Sequence, residues 1–240
     1  MATPDTTKPS EIAFYGGYQV YSESGVDLTL LHGNLVRSID ERLENNRRAL
    51  SFCEAFRPAK ATDSLQVESR GPIPMIEAKP IIQQLVKHQV EFVVIGGMAM
   101  RIRGSAHVTD DIDFCYRRTA VNIAALSAAL ANFHPYLRGA PPGLPFRFDP
   151  PTIQAGLNFT LVTDHGEVDF LGEISGIGIY EKVLILSTEM DAYDCKVQVL
   201  SVDGLIAAKK AAGRTKDKLH LLELEELKKI LDAAPDKEQP

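Results

Sequence analysis

Glu91-Phe92-Val93-Val94-Ile95-Gly96-Gly97-Met98-Ala99-Met100, followed by Asp110-Asp111-Ile112-Asp113-Phe114-Cys115-Tyr116, is the stretch on which the fold turns. Phe92 to Ile95 is a short, continuous apolar run closed by two glycines, the pattern of a strand buried on both faces. Met98 to Ile102 then reads as a short helix and Asp110 to Tyr116 as a second strand. Side chains alternate along a strand, so Asp111 and Asp113 share one face while Ile112 and Phe114 share the other and enter the core.

Working outward, Ile76, Ile81, Ile82, Leu85 and Val86 have helical spacing, and Pro80 is tolerable in the first turn. Downstream, Ala120 to Phe133 is an Ala- and Leu-rich helix, and the stretch 134 to 151 reads as a loop because of its prolines and glycines. Asn158 to Thr163 and Glu167 to Leu171, joined by Asp164-His165-Gly166, form a hairpin. Val183 to Leu186 and Val197 to Leu200 read as strands, Val202 to Ala212 and Lys216 to Leu231 as helices. Toward the N-terminus, Ser38-Ile39-Asp40-Glu41 is a capping box opening a helix over 39 to 55. The first ten residues read as a frayed tail and 59 to 74 as a linker. No internal repeat occurs. The division expected is therefore an N-terminal extension (1–72), an α/β core (73–200) and a C-terminal helical segment (201–240).

With 45% apolar and 24% charged residues in 240, the chain belongs to the globular class, and disorder, collagen and coiled-coil readings are excluded. Its longest apolar stretch falls far short of the about 18 to 20 residues that span a bilayer. No basic segment followed by an apolar one opens the sequence, so a cytoplasmic location without membrane attachment is expected. Three cysteines, Cys53, Cys115 and Cys195, form no Cys-x-x-Cys pair; a disulfide framework and a zinc ribbon are excluded, and reduced, mostly buried thiols are expected. The net charge of −6 rules out a generally polyanion-binding surface. Lys209, Lys210, Arg214, Lys216 and Lys218 form a local basic run, whose plain reading is a solvated helix face.

The chemistry lies in the acids. By chance alone, 32 acids in 240 residues give about four acid-x-acid spacings, so Asp111-x-Asp113 needs its context. Paired carboxylates on one strand face repel each other, and a hard cation between them relieves the repulsion; an oxygen-ligated Mg²⁺ suits that arrangement. Gly96-Gly97 closes a strand and opens a helix, offering backbone amides and a positive helix end to phosphate oxygens. Asp169, in Glu167-Val168-Asp169-Phe170, repeats the alternation on a later strand. The ordered set favours function over three unrelated solvent-facing acids.

Phe92 to Met100 with Gly104-Ser105 and Thr109-Asp110-Asp111-Ile112-Asp113 resembles the signature of the DNA polymerase beta-like nucleotidyltransferase superfamily, most closely its bacterial AbiEii-like and uncharacterised branch. The C-terminal Leu205-Ile206-Ala207-Ala208-Lys209, Ala212-Gly213-Arg214 and Lys216-Asp217 resemble that branch's lysine and Arg-x-Lys-Asp motifs. The likeness spans roughly residues 76 to 231. Val26 to Leu31 and Glu41-Arg42-Leu43 look like an extension carried by some members.

The resemblance implies an α/β (α+β) nucleotidyltransferase fold: a mixed twisted sheet flanked by helices, with C-terminal helices and a helical N-terminal extension. It implies Mg²⁺ or Mn²⁺ on Asp111, Asp113 and Asp169, with these three and Lys209 catalytic. Gly96, Gly97, Met98, Thr109, Lys209, Arg214 and Asp217 would hold an NTP, although Met98 and Met100 by themselves read as core filler. The implied reaction moves an NMP from an NTP, ATP among them, to a hydroxyl of an RNA or tRNA end, a protein or a small molecule. A toxin-like role with an antitoxin-like protein partner is part of the same implication.

One position departs: relatives often carry an arginine where His107 stands, and a neutral imidazole does not replace a guanidinium on phosphate. That departure motivates the alternative of an inactive nucleotide-binding or regulatory module. His32, His88, His134, His165 and His220 lack zinc-site spacing, and no P-loop or Gly-x-Ser-x-Gly elbow occurs. On the helix over 202 to 212, Lys209 follows Leu205 by four residues and borders the apolar stripe, whereas Lys210, rotated by about 100°, should be wetter. Lys209 is thus expected to present its ammonium to phosphate over the sheet edge.

Overall fold

The computed structural model describes residues 14–15, 18–55, 75–141 and 143–233, so the expected tail over 1–10 and the whole of the expected linker over 59–74 lie outside the described residues. In chain order the elements are β1 (Phe14–Tyr15), β2 (Tyr18–Gln19), α1 (Leu28–Leu35), α2 (Ile39–Ala55), α3 (Ala78–Lys87), β3 (Phe92–Ile95), α4 (Gly96–Arg103), β4 (Asp111–Tyr116) and α5 (Ala120–Leu130). A 3-10 turn (Ala131–Phe133) leads to β5 (Tyr136–Leu137), α6 (Pro150–Ala155), β6 (Asn158–Thr163), β7 (Gly166–Leu171), β8 (Glu173–Ile174) and β9 (Gly178–Ile179). The chain ends with α7 (Tyr180–Ile185), β10 (Ser187–Ala192), β11 (Cys195–Leu200), α8 (Val202–Ala212) and α9 (Thr215–Ala233).

A seven-stranded mixed sheet in the order β10-β11-β3-β4-β7-β6-β5 organises the molecule. Its central strand is β4, antiparallel to β3 on one side and parallel to β7 on the other, with Asp113 opposite Asp169. Helices flank this twisted sheet: α3 packs with α5, and α5 with α6, while α4 packs with α2 and α8, and α8 with α9. The apolar face of β4 and β7 stacks Phe114 on Phe170, ring centroids 5.2 Å apart, with Phe92 edge-on to Phe114. These rings anchor the strand whose opposite face carries the aspartates.

The capping box forms: Ser38 Oγ accepts from Glu41 N at 3.3 Å, and Glu41 Oε2 accepts from Ser38 N at 2.8 Å. Leu31 of α1 and Leu43 of α2 are buried in the same core as β3 and α4. Arg42 ties α2 down further, its guanidinium donating to the carbonyls of Asn34, Leu35 and Ile102.

Three expectations need correction. The stretch expected as a strand over 183 to 186 belongs to α7, followed by the unexpected β10; Tyr180 and Val183, three apart, are buried while Ile185 is 81% exposed. That one-sided burial is helical, and the apolar run had imitated a strand. The expected loop over 134 to 151 contains the edge strand β5 and the start of α6, with Asp149 Oδ1 capping Thr152 N at 3.0 Å. Among the cysteines Cys115 is buried and Cys195 half-buried, but Cys53, on α2, is exposed. No described helix is long and apolar enough to cross a membrane.

Candidate active site

Alternation along β4 and β7 places Asp111, Asp113 and Asp169 on one side of the sheet, where a carboxylate oxygen from each lies within 4.8 Å of the others. Such crowding has an electrostatic cost. Burial, then the charges of Asp111 and Asp169, push Asp113 well above the usual carboxylate range. Asp169 is raised to about 6, chiefly by burial and further by Asp111 and Glu167, against the pull of Arg138. Three hard oxygen donors that resist simultaneous ionisation are a donor set suited to Mg²⁺ or Mn²⁺, whose charge would offset the repulsion.

Gly96 and Gly97 are expected from the sequence to meet a phosphate, and the structure shows a packing reason for their missing side chains. A Cβ on Gly96 would fall on the Asp113 carboxylate, and one on Gly97 would lie 2.4 Å from Thr109 Oγ1. The space beside the start of α4 is therefore already filled by site residues. Gly96 also has φ +61°, a left-handed conformation that glycine adopts without steric cost. Met98, the residue after Gly97, is buried in the core, as is Met100.

Thr109 sits just before β4, and its hydroxyl donates to Asp111 Oδ1 at 2.9 Å. Its backbone is held from α2: Asn46 Nδ2 donates to Thr109 O at 2.9 Å, and Thr109 N donates to Asn46 Oδ1 at 3.0 Å. Across the triad, Arg138 donates to Asp169 Oδ1 at 2.7 Å and lies 3.2 Å from Glu167 Oε2.

The C-terminal helices bring a second cluster. Lys209 of α8 lies 3.1 Å from Asp217 Oδ1 and donates to His220 Nδ1 at 3.1 Å, while Arg214 Nε donates to Asp217 Oδ2 at 2.9 Å. Asp217, in the first turn of α9, is 0% exposed. Burial opposes its charge, but the bonds from Arg214 and Lys209 outweigh it and hold the carboxyl down at about 2. Lys209 was expected to present its ammonium openly; its side chain is instead 11% exposed and turned to Asp217 and His220, though its charge is felt at Asp113. Lys210 is the wetter neighbour, 60% exposed and paired with Glu225.

His107 packs against His220 with ring centroids 4.2 Å apart and the ring planes tilted by 54°. Burial, reinforced by Lys209, lowers both; His220 falls to about 4 and is neutral at pH 7. The structure thus brings Asp111, Asp113, Asp169, Thr109, Gly96 and Gly97 together, brings Lys209 near enough for its charge to act on Asp113, pairs Lys209 and Arg214 with Asp217, and leaves Met98 in the core.

Sequence reasoning missed Asn46, Arg138 and the pairing of His220. Asn46 had a signal: it follows Leu43 by three residues and precedes Leu50 by four, so a polar group lies on an apolar helix face. His220 stands three residues after Asp217 on one helix, the spacing of facing side chains. Arg138 had no local signal.

No family model matches this sequence, and no curated protein does. Among solved structures, a lincosamide antibiotic adenylyltransferase bound to lincomycin is similar over 64% of this chain and 99% of its own, with 12% identity and a TM-score of 0.43. A candidate nucleotidyltransferase from Thermotoga maritima is similar over 67% of this chain and 98% of its own, with 15% identity and a TM-score of 0.37.

Proposed function

We propose that this protein is a metal-dependent nucleotidyltransferase that moves an NMP from an NTP to a hydroxyl acceptor. The observation that carries the reading is the convergence of Asp111, Asp113 and Asp169 within 4.8 Å on one sheet face, two of them with raised pKa values. Asp111, Asp113 and Asp169 would hold Mg²⁺ or Mn²⁺, which when bound supplies charge stabilisation to the transferring phosphoryl group and its leaving pyrophosphate. Asp169, paired with Arg138 and facing the β5 edge, would take the acceptor's proton. Lys209, held by Asp217 and His220, would offset phosphate charge with a fixed ammonium, and Arg214, 60% exposed, would meet the outer phosphates. Thr109, Gly96 and Gly97 serve by placing the carboxylates.

The sequence resemblance to the AbiEii-like branch supports a toxin-like form of this activity, with a tRNA end among the acceptors and an antitoxin-like protein partner. Incubation of the full chain with each labelled NTP, Mg²⁺ and a panel of tRNA, protein and small-molecule acceptors tests the reaction. Label transfer by the wild type and none by Asp113→Ala is expected; equal transfer by both overturns it. A second reading, a nucleotide-binding module without turnover, is favoured by half-buried His107, whose pKa burial lowers, where an arginine would bind phosphate. Calorimetric NTP binding without pyrophosphate release on any acceptor would decide for it.

A further inference from the structure

Helix α2 lies outside residues 76 to 231, the main span of the sequence resemblance, yet one of its side chains reaches the residue bonded to a metal-ligand candidate. Asn46 is buried, and its amide occupies both backbone groups of Thr109, donating to one and accepting from the other at 2.9 and 3.0 Å. A side-chain amide used in this way acts like a neighbouring strand: it fixes the peptide in position and in rotation at once. Thr109, itself buried, has only its hydroxyl left, and that hydroxyl donates to Asp111 Oδ1 at 2.9 Å. Gly97 closes the remaining side, since a Cβ there would lie 2.4 Å from the same hydroxyl. The hydroxyl is thus held from two directions and aimed at Asp111, whose carboxylate oxygen at 2.9 Å is closer than its carbonyl at 3.4 Å.

We propose that Asn46 is a positioning residue for metal ligation, clamping Thr109 so that Thr109 orients the Asp111 carboxylate. The inference rests on reading Asp111, Asp113 and Asp169 as metal ligands. Groups that orient a ligand from behind commonly change metal affinity by about tenfold or more when removed. Asn34 of α1 supplies a matched comparison: its Nδ2 donates to the carbonyl of Ser105 at 3.0 Å, a buried amide bond to the same connection four residues earlier, and the Ser105 hydroxyl donates to Glu223 at 2.9 Å, a carboxylate outside the triad.

The test is calorimetric titration of Mn²⁺ alone into the full-length wild type and the variants Asn46→Ala, Thr109→Val, Thr109→Ser, Asn34→Ala and Asp113→Ala, each with its thermal midpoint. Asn46→Ala and Thr109→Val are expected to bind Mn²⁺ about tenfold more weakly, Thr109→Ser to recover most of that loss, and Asn34→Ala to lower Tm while keeping wild-type affinity. Equal loss of affinity in Asn34→Ala and Asn46→Ala, or wild-type affinity in Thr109→Val, overturns the inference while leaving the metal site standing. Should Asn46→Ala fail to fold, the valine and serine variants of Thr109 decide the link to Asp111. No Mn²⁺ binding by the wild type, or undiminished binding by Asp113→Ala, overturns the metal-ligand reading itself, and this inference with it.

Discussion

A Cβ built on Gly96 would lie 1.8 Å from Asp113 Oδ2, so the first residue of α4 and the second aspartate of β4 occupy what would otherwise be a single volume. The carboxylate can be where it is only because residue 96 has no side chain. Gly96→Ala is therefore expected to displace Asp113 and also to strain a backbone at φ +61°, which alone costs an L-residue about 1 to 2 kcal/mol. Urea denaturation should show at least that loss, and label transfer from NTP should disappear; an alanine variant with full stability and activity would refute the packing argument.

Asp113 titrates above its ordinary range because of burial and then its acidic neighbours. The folded protein consequently holds a proton that the unfolded chain has released, and stability of the metal-free protein falls as pH rises from about 4 through the raised value. Asp113→Asn keeps the shape and removes the charge. Metal-free thermal melts between pH 5 and 8 should show the variant gaining on the wild type as pH rises, with turnover lost throughout. Parallel curves would mean that the triad carries no such repulsion.

Arg138 compensates two acids at once, Asp169 at 2.7 Å and Glu167 at 3.2 Å. Arg138→Met leaves Asp169 and Glu167 without the cation that pairs with them, at an expected cost of about 1 to 3 kcal/mol at pH 8 for lost interactions with charged groups. Saturating Mg²⁺ should restore more stability to this variant than to the wild type. An equal Mg²⁺-induced rise in Tm in both would show that Arg138 does not share the field of the site.

Lys209 and Lys210 are sequence neighbours with opposite roles. Removing Lys209 leaves buried Asp217 without one of its two cations, and about 3 kcal/mol of stability should go with it. Lys210→Ala breaks only an exposed pair with Glu225, worth at most about 1 kcal/mol. Because the folded Asp217 titrates near 2, the stability its charge provides is present above the usual carboxylate range and lost as pH falls toward that value. The gap between wild type and Lys209→Ala should therefore narrow in acid denaturation below about pH 4; a pH-independent gap would place the loss in packing instead.

The parts of the site carried by strand periodicity were legible in advance. Asp111 and Asp113 with Ile112 and Phe114 between them, and Asp169 between Val168 and Phe170, declare their faces through alternation, and β4 and β7 then align them. The capping box at Ser38 and Glu41 was legible for the same reason, being local. Contacts between distant segments were not. Asn46 meets Thr109 across 63 positions and Arg138 meets Asp169 across 31, and neither partner's neighbours announce the other. Helix α7 was misread because Val183 to Leu186 is apolar throughout, and only burial distinguishes its inner from its outer residues. The Gly96-Gly97 turn was located correctly, but its reason, room for Asp113 and Thr109, is visible only in three dimensions.

The strand order has a consequence for how this protein is made. β3 lies parallel to β11 with Val93 opposite Gln198, and β4 lies parallel to β7, so the centre of the sheet waits on segments synthesised much later. A chain emerging from the ribosome presents the apolar residues of β3 and β4 with one long edge of each unpaired, and it has two aspartates of the triad but not the third. Parallel, long-range pairing of this kind folds slowly and exposes strand edges meanwhile. The nascent polypeptide is therefore a candidate chaperone client, and a translation product halted before Asp169 would hold no complete carboxylate triad.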